Sequence, residues 1–274
     1  MNKINAELIL YSECEVTNKK IATFVLKVPK FIMPHINSHR ALSRNSASSR
    51  AVPAKKMRER VMNTPFIPVY FGENKPGMQS GQPLTGFRLF VAKRVWLWSR
   101  YIPVFLHFIG EKIRLHKEVL NRIIEAWIMT EIVLTATEWG NFFKLRNNPD
   151  AQPDIQVVAK QMDELLNNTK PIILKTGEWH LPFIRPEENN LDVELKKKIS
   201  SARCARVSYF LFNGKLSDIE SDKKICDRLV TSGHWSPLEH VAQATESLER
   251  SGNFVGWKQY RKEFENESGG DYHI

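Results

Sequence analysis

Two short apolar runs near the N-terminus constrain the fold most strongly. Residues 5–11 and 21–28, NAELILY and IATFVLKV, are rich in β-branched side chains and partly alternate between apolar and polar positions. This pattern predicts two strands, and the polar residues 17–20 between them are typical of a turn. The sequence therefore predicts a β-hairpin at the start of the chain.

The rest of the chain is mostly helical in pattern. From residue 87 to residue 146, apolar residues recur at spacings of three and four, which predicts helices throughout. Further helices are predicted over residues 153–168, 193–208 and about 218–232, and Gly233 ends the last of them. Irregular structure or loops are predicted over residues 71–86 and 169–194, and an amphipathic segment over residues 253–264 precedes a polar tail.

Charge and cysteine content narrow the classes of function. Lysine and arginine outnumber aspartate and glutamate 40 to 30, which suggests either an anionic partner or a solvated basic surface. The three cysteines are far apart and form no CxxC motif, so we expect free thiols in a reducing compartment. No run of 18 apolar residues occurs, and Glu7 interrupts a signal-peptide pattern. We therefore expect a cytoplasmic protein.

Residues 37–50, NSHRALSRNSASSR, concentrate hydrogen-bond donors directly after an apolar run. The stretch holds three arginines, one histidine and five serines, and residues 38–60 contain seven basic residues against one acid. Their spacing is too irregular for one helical face, so a loop folded around a phosphate is a natural use for them. The alternatives are a solvated basic loop or a run like a nuclear-localisation signal.

Two other stretches carry candidate functional groups. Thr137 and Asn141 would share a helical face among aromatic residues near Arg146, which suits either a flat heterocycle or a capped helix end. GHWSPLEH, residues 233–240, is typical of a helix start, with Ser236 as cap and Glu239 as the capping-box acid. Its two histidines also suit an anion or cofactor edge.

No metal site is predicted. His35 and His39 stand four residues apart, but no carboxylate or cysteine lies near them in the sequence and Pro34 disturbs a helix there. The chain also has no Walker loop, GxGxxG, GxSxG or CxxC motif.

Residues 38–50 resemble the signature RHRxxSxNxxSxR of flavin-dependent thymidylate synthases, the ThyX family. The matching residues are His39, Arg40, Ser43, Asn45, Ser48 and Arg50. Ser38 stands where the family has its first arginine, and Ser46 stands where an acid usually follows the asparagine. His35 replaces a usual glutamine.

Two further blocks resemble the same family. ATEWGNFFKLRNNPDAQPDIQ, residues 136–156, is similar to its NxRSLxNFLxLRxxxxAQxEI block, with Asn141 and Arg146 in place. SARCARVSY, residues 201–209, followed by GHWSPLEH is similar to a block that normally precedes the arginine signature. This order predicts a natural circular permutation, which the usual proximity of chain termini allows.

The resemblance implies an α+β fold with a mainly antiparallel sheet packed with long helices, forming one catalytic domain over residues 1–274 with a polar tail at about 265–274. It implies transfer of a one-carbon unit from methylenetetrahydrofolate to C5 of dUMP, giving dTMP, with FAD as cofactor and NADPH as reductant. It also implies a homotetramer with sites at subunit interfaces.

The resemblance assigns roles residue by residue. The catalytic candidates are Arg146, Arg50 and His234. The substrate-binding candidates are Ser48, Arg50, Arg146, His35 and Arg44, of which Arg44 rests on its charge alone. The cofactor-binding candidates are His39, Arg40, Ser43, Asn45, Asn141, Ser236 and Glu239. In this class, arginines stabilise negative charge on the pyrimidine and no cysteine nucleophile is used.

Alternatives remain open at this level. A relative could hydroxymethylate dUMP or dCMP, with water in place of hydride capturing the same methylene; a permuted member of this kind suits a bacteriophage and its host's cytoplasm. An inactive scaffold is a further alternative. A protein of another class would use residues 38–60 to bind nucleic acid, although no aromatic residues are interleaved in 37–50.

Overall fold

A five-stranded sheet forms the centre of the molecule in the computed structural model, which describes residues 3–208, 217–265 and 267. The strand order is β3-β4-β2-β1-β5, and all neighbours are antiparallel except β1 and β5. The strands are β1 (Asn5–Cys14), β2 (Lys20–Pro29), β3 (Ser43–Ser46), β4 (Met129–Ala136) and β5 (Ile172–Leu174). The predicted mainly antiparallel sheet is confirmed.

The N-terminal hairpin is also confirmed. β1 and β2 pair from Asn5 opposite Lys27 to Glu13 opposite Lys20. Asn18 closes the turn at φ 55°, a left-handed conformation that asparagine tolerates better than most residues.

Helices and short strands surround this sheet. The helices are α1 (Met33–Asn37), α2 (Ala54–Asn63), α3 (Gly86–Ser99), α4 (Tyr101–Lys112), α5 (Lys117–Leu120), α6 (Gly140–Arg146), α7 (Pro153–Asn168), α8 (Val193–Ser208) and α9 (Ile219–Thr231). Strands β6 (Trp179–His180), β7 (Ala242–Ala244) and β10 (Trp257–Gln259) form a second sheet, and β8 (Arg250–Ser251) pairs with β9 (Phe254–Val255). The predictions for α7, α8 and α9 are confirmed, and Gly233 follows α9 at φ 68°.

The prediction of helix throughout residues 87–146 is wrong at β4. In this strand Ile132 and Leu134 pack into the main core, while Val133 and Thr135 are buried on the opposite face. A strand buried on both faces shows no apolar–polar alternation, so its sequence does not differ from that of a buried helix. The β-branched residues of β4 favour a strand, and its position between β2 and β3 fixes it as one.

The sheet is covered on both faces. On one face, Phe24 and Leu26 of β2 pack in one core with Ile155 and Val158 of α7. On the other face, Val133 packs with Cys204 and Val207 of α8. Each such apolar side chain contributes about 1.5–3 kcal/mol when fully buried. Asn45 of β3 also contacts α8 on this second face, through the carbonyl oxygen of Cys204.

A chain of buried polar side chains crosses that second face. The Oγ of Ser12 lies 2.9 Å from His180 Nδ1, and His180 Nε2 lies 2.8 Å from the Oγ1 of Thr23. The Oγ1 of Thr23 lies 2.7 Å from that of Thr135, which lies 2.8 Å from His240 Nδ1. Burial lowers the pKa of both histidines to about 3. This buried polar chain ties the N-terminal strands to the C-terminal third of the protein.

Helices α3 and α4 present apolar side chains to the outside. The exposed residues include Phe87, Phe90, Val95, Trp98, Ile102, Phe105 and Ile109. We call this surface the α3–α4 face. Neither helix, nor any other in the described part of the chain, has the length and apolarity needed to span a bilayer.

Candidate active site

The arginine signature begins after α1 and forms β3, which lies at the edge of the central sheet beside β4. Ser43 is buried at the start of this strand, and Arg44 and Asn45 are half-buried. A 3-10 helix over Ser49–Ala51 then turns the chain away from the sheet. The signature is therefore fixed by strand pairing along part of its length and ends in a turn.

The SARCARVSY and GHWSPLEH segments of the C-terminal half both contact β3. Ser43 Oγ donates a hydrogen bond to Glu239 Oε2 at 2.8 Å, and Ser236 Oγ donates to Asn45 Oδ1 at 3.4 Å. Asn45 Nδ2 donates to the carbonyl oxygen of Cys204 at 3.2 Å. Side chains that are about two hundred residues apart in sequence are thus joined at one place. Tyr209, the last residue of the SARCARVSY block, lies outside the described residues.

The predicted capping role of GHWSPLEH is wrong. The segment forms a 3-10 helix over Ser236–His240, in which Trp235 occupies the cap position and no side chain caps the helix. The reason is that both candidate capping groups are engaged elsewhere. Ser236 faces Asn45, and the Glu239 carboxylate binds Ser43 and forms an ion pair with Arg261.

A cavity of about 460 Å³ opens beside these residues, and we call it the basic cavity. Its lining residues are Arg40, Leu42, Arg44, Ser236, Glu239, Gly252, Asn253, Gln259, Arg261 and Lys262. Arg44 Nη1 donates to the carbonyl oxygens of His39 and Leu42. Among the residues that the structure describes, neither Arg40 nor Arg44 forms a salt bridge with a carboxylate, so the cavity carries positive charge suited to an anion.

Half of this lining comes from residues that the sequence analysis missed. Asn253, Gln259 and Arg261 belong to the segment predicted only as amphipathic, which the structure forms from β9, β10 and a 3-10 helix over Tyr260–Glu263. The adjacent cations Arg261 and Lys262 are the one feature of this segment in the sequence that could indicate an anion-binding role. Nothing in local sequence connects them to a motif two hundred residues earlier.

Arg146 lies in a second cluster. Its Nε donates to His39 Nε2 at 2.9 Å, and its Nη2 donates to Ser38 Oγ at 3.0 Å. Burial first, and then the Arg146 charge, lowers the pKa of His39, and the same two causes lower the pKa of His35. His39 is therefore a neutral imidazole that accepts from Arg146 and carries its proton on Nδ1. The predicted residues His35, His39 and Arg146 are brought together.

Ser48 and Arg50 lie in a third cluster, which we call the Ser48–Arg50 turn. Both are exposed; Ser48 Oγ accepts from the Arg50 backbone N–H at 3.3 Å, and Arg50 Nη1 lies 3.5 Å from a Glu118 carboxylate oxygen. Asn121 anchors the turn from beneath, because its Nδ2 donates to the carbonyl oxygens of Ser49 and Val52 at 2.8 and 2.9 Å. No sequence pattern marks Asn121 as part of the site.

Two predicted residues lie on the surface. Asn141 is exposed on α6, and His234 is exposed with its Nδ1 2.8 Å from Ser232 Oγ. The prediction that Thr137 shares a helical face with Asn141 is wrong, because Thr137 lies between β4 and α6. Its Oγ1 accepts from the Val255 backbone N–H at 3.0 Å, which holds β9 against the central sheet.

Neither metal nor thiol chemistry is evident in the described residues. No group of three histidine, cysteine, aspartate or glutamate side chains suited to a metal ion occurs there. The three cysteines are buried free thiols. Burial raises the pKa of Cys204, and raises the pKa of Cys226 to about 12, so both thiols are poor nucleophiles.

Comparison with known proteins places this chain in a family. Residues 7–172, more than half of the chain, match the family model described as thymidylate synthase complementing protein. A search of the curated proteins found no match. Among solved structures, a UMP/dUMP methylase PolB from Streptomyces cacaoi bound with 5-Br dUMP is similar at 15% identity and a TM-score of 0.49, covering 63% of this chain and 92% of that one.

The same methylase bound with 5-Br UMP is similar at 16% identity and a TM-score of 0.47, covering 63% of this chain and 91% of that one. The family match contains both the arginine signature and the block around Arg146, on which the resemblance was based. The chain belongs to the thymidylate synthase complementing protein family, the flavin-dependent ThyX class.

Proposed function

We propose that the protein transfers a one-carbon unit from methylenetetrahydrofolate to C5 of dUMP, giving dTMP, with FAD as cofactor and NADPH as reductant. The observation that carries the proposal is the hydrogen bond from Ser43 to Glu239, which joins the arginine signature to the GHWSPLEH block. Family membership and the positive charge of the basic cavity support it.

The basic cavity has the chemistry that a dinucleotide flavin requires. Arg40 and Arg44 offer guanidinium groups for a diphosphate, and Ser236 offers a hydroxyl group for ribityl or ribose oxygens. When bound, a reduced flavin supplies the hydride that converts the transferred methylene to a methyl group while the C5 proton leaves. On the family pattern we also assign Asn45 and Asn141 to flavin binding and His234 to a catalytic position beside the reacting rings, and His39 would contact both the flavin and Arg146.

The substrate is assigned to the other two clusters. Ser48 and Arg50 would bind the dUMP phosphate, and Arg146 would stabilise negative charge on the pyrimidine during substitution at C5. The neutral His39 holds the Arg146 guanidinium in place without adding a competing charge. Arg146 Nη2 donates to Ser38 Oγ at 3.0 Å, and Ser38 stands where the family signature has its first arginine.

We infer that the sites are completed by other subunits of a homotetramer. The Ser48–Arg50 turn is exposed, and such a turn gains binding strength only when another surface excludes water from it. The α3–α4 face offers the apolar surface that a stable assembly buries. Ile102→Glu is expected to reduce the mass of the assembly in light scattering, whereas Lys93→Glu, on the same helical pair, is the matched control.

We also propose that the chain is one circularly permuted catalytic domain. The SARCARVSY and GHWSPLEH blocks follow the arginine signature in sequence but lie against it through Cys204 and Glu239. A chain in which residues 193–274 are placed ahead of residue 3 and joined to it by a flexible linker tests this, because it keeps the β1–β2 hairpin and the pairing of β7 with β10 intact. It should fold and bind dUMP as the natural order does; failure of a soluble rearranged chain to bind dUMP would contradict the permutation.

The reaction is tested by incubating the purified protein with FAD, NADPH, methylenetetrahydrofolate and dUMP, followed by mass spectrometry of the nucleotide. We expect a product one methylene heavier than dUMP, absent when FAD is omitted. A product heavier by one methylene and one oxygen would instead identify a hydroxymethylase, the second candidate, since Ser38 in place of a family arginine changes the substrate pocket. Incubation with dCMP tests the base.

A nucleotide of unchanged mass, from protein that is folded and saturated with all reactants, would contradict both candidates. Binding of oligonucleotides with a steep salt dependence and no sequence preference would then support the nucleic-acid alternative.

A further inference from the structure

We propose that residues 250–262 bind the diphosphate of a dinucleotide in the basic cavity, with Arg261 as the principal contact. The inference rests on the proposed function, which places a dinucleotide flavin there. It concerns a part of the chain beyond the family match at 7–172 and beyond GHWSPLEH, so none of the family's motifs assigns it.

Residues 250–262 form one side of the basic cavity, which we call the C-terminal wall. A tight turn and buried hydrogen bonds hold this wall in place. Gly252 lies between β8 and β9 at φ 61°, and a Cβ at this position would lie 2.3 Å from Gln259 Oε1. Glycine alone therefore allows the turn to close over Gln259 without strain. Gln259 is 1% exposed, and its Nε2 donates to Asn253 Oδ1 at 2.7 Å and to Ser43 Oγ at 3.2 Å. The wall is thus tied to the arginine signature itself.

Cationic side chains outnumber carboxylates around the basic cavity. Arg261 and Lys262 face the same cavity as the cations of the arginine signature. Their carboxylate partners in the described chain are Glu239 and Glu267. Burial alone would raise the pKa of Glu267, but its ion pairs with Lys262 and Arg261 lower it overall, so this acid is ionised. Two carboxylates against four cations leave the cavity positive.

Arg261 is positioned to use this surplus. Its Nη1 is paired with Glu239, its Nε donates to Glu267 Oε2 at 2.7 Å, and its Nη2 donates to the Glu267 carbonyl oxygen at 3.0 Å. A guanidinium has five N–H donors, so the second N–H of Nη1 is left for the cavity. Glu239 and Glu267 orient the group, and a diphosphate supplies the acceptor oxygens.

The test uses ADP, which offers a diphosphate without a flavin ring, and isothermal titration calorimetry. We expect Arg261→Gln to bind ADP at least about tenfold more weakly than wild type, the effect of losing one charge-assisted hydrogen bond. Lys262→Gln should weaken ADP binding less. Lys258→Gln, an exposed residue of β10 outside the cavity lining, should bind as wild type does, and dUMP affinity should be unchanged in all three.

Wild-type protein that does not bind ADP, or Arg261→Gln with wild-type ADP affinity, would overturn the inference. Lys262 is exposed, so Lys262→Gln should fold even if Arg261→Gln does not; unchanged ADP affinity in Lys262→Gln would then overturn it. ADP binding that depends on Arg261 in a protein that makes no modified nucleotide supports the inference and contradicts the proposed function. A methylated product together with ADP binding that does not depend on Arg261 would overturn the inference and support the proposed function.

Discussion

The basic cavity and the Ser48–Arg50 turn both use residues of the thirteen-residue arginine signature, yet they differ in how far their side chains are fixed by other parts of the protein. Around the cavity, Ser43 is buried and hydrogen-bonded to Glu239 and Gln259, and the lining comes from residues 40–44 and 236–262. At the turn, Ser48 and Arg50 are exposed and Arg50 has one exposed acid beside it. The cavity is organised before any ligand binds, whereas the turn is organised only in its backbone.

Because of this difference, substitutions in the two regions should affect stability and ligand affinity differently. Changes near the cavity remove buried partners and should cost folding free energy as well as affinity. Changes in the turn should cost affinity alone, because exposed side chains contribute little to stability.

The largest effect is expected at Arg146, which lies in neither region but contacts His39 and Ser38 of the arginine signature. Arg146→Ala removes the guanidinium assigned to the pyrimidine and leaves the buried His39 without its donor. We expect product formation to fall by about 10²–10³-fold, the cost of removing one group that stabilises transition-state charge. The measurement is the steady-state rate with saturating dUMP. Lys144→Ala, exposed on the same helix, is the control, and an Arg146→Ala rate within twofold of wild type would contradict the role.

Acid should destabilise the fold through two buried histidines, one of which lies beside the basic cavity. His240 lies in the 3-10 helix that carries Ser236 and Glu239, and burial lowers its pKa, like that of His180, to about 3 from an ordinary 6.5. The unfolded chain therefore binds more protons below 6.5. The free energy of unfolding should be highest above that pH and should fall as the pH drops from 6.5 toward 3, by about 1.4 kcal/mol per histidine per pH unit.

Urea unfolding at several pH values measures this slope. His180→Gln and His240→Gln should each reduce the slope, and His116→Gln, an exposed histidine, should not. A slope that is the same in all three variants would show that other groups govern acid stability.

Arg50→Ala tests the turn directly. Loss of one charge-assisted hydrogen bond should weaken dUMP binding by about ten- to a hundredfold. The unfolding temperature should stay unchanged, because Arg50 is exposed and its salt bridge with Glu118 is exposed too. Calorimetric titration of dUMP checks the affinity, with Lys56→Ala as the control. Unchanged dUMP affinity in Arg50→Ala would separate the turn from the substrate.

The smallest effect is expected for Ser43→Ala in the cavity wall. The substitution removes the donor to Glu239 and an acceptor for Gln259, and should lower the free energy of unfolding by about 1–3 kcal/mol. Flavin affinity should fall with it, while dUMP affinity should not. Ser46→Ala, at the other end of β3, is the matched variant, and equal destabilisation by both would remove the distinction between the two regions.

The features that could be predicted from sequence are those determined by residues close together in the chain. The hairpin, α7 to α9 and the arginine signature were all readable because turn residues, periodicity and donor spacing act over a few residues. β4 was misread because burial on both faces removes the alternation that identifies a strand. Ser236 and Glu239 were misread as helix caps because their true partners, Asn45 and Ser43, lie far away in sequence.

The C-terminal wall escaped prediction for the same reason. Gly252, Gln259 and Arg261 acquire meaning only when the chain brings them against Ser43 and Glu239. The motif order indicated that distant blocks should meet, but it did not identify which further residues would enclose the space between them.

Release of tritium from dUMP labelled at C5 tests the central claim most directly, because any substitution at C5 must expel that hydrogen. With FAD, NADPH and methylenetetrahydrofolate present, we predict that wild-type protein releases tritium from the nucleotide to water, and that Arg146→Ala loses most of this release. Retention of the label by folded wild-type protein supplied with every reactant would contradict the account.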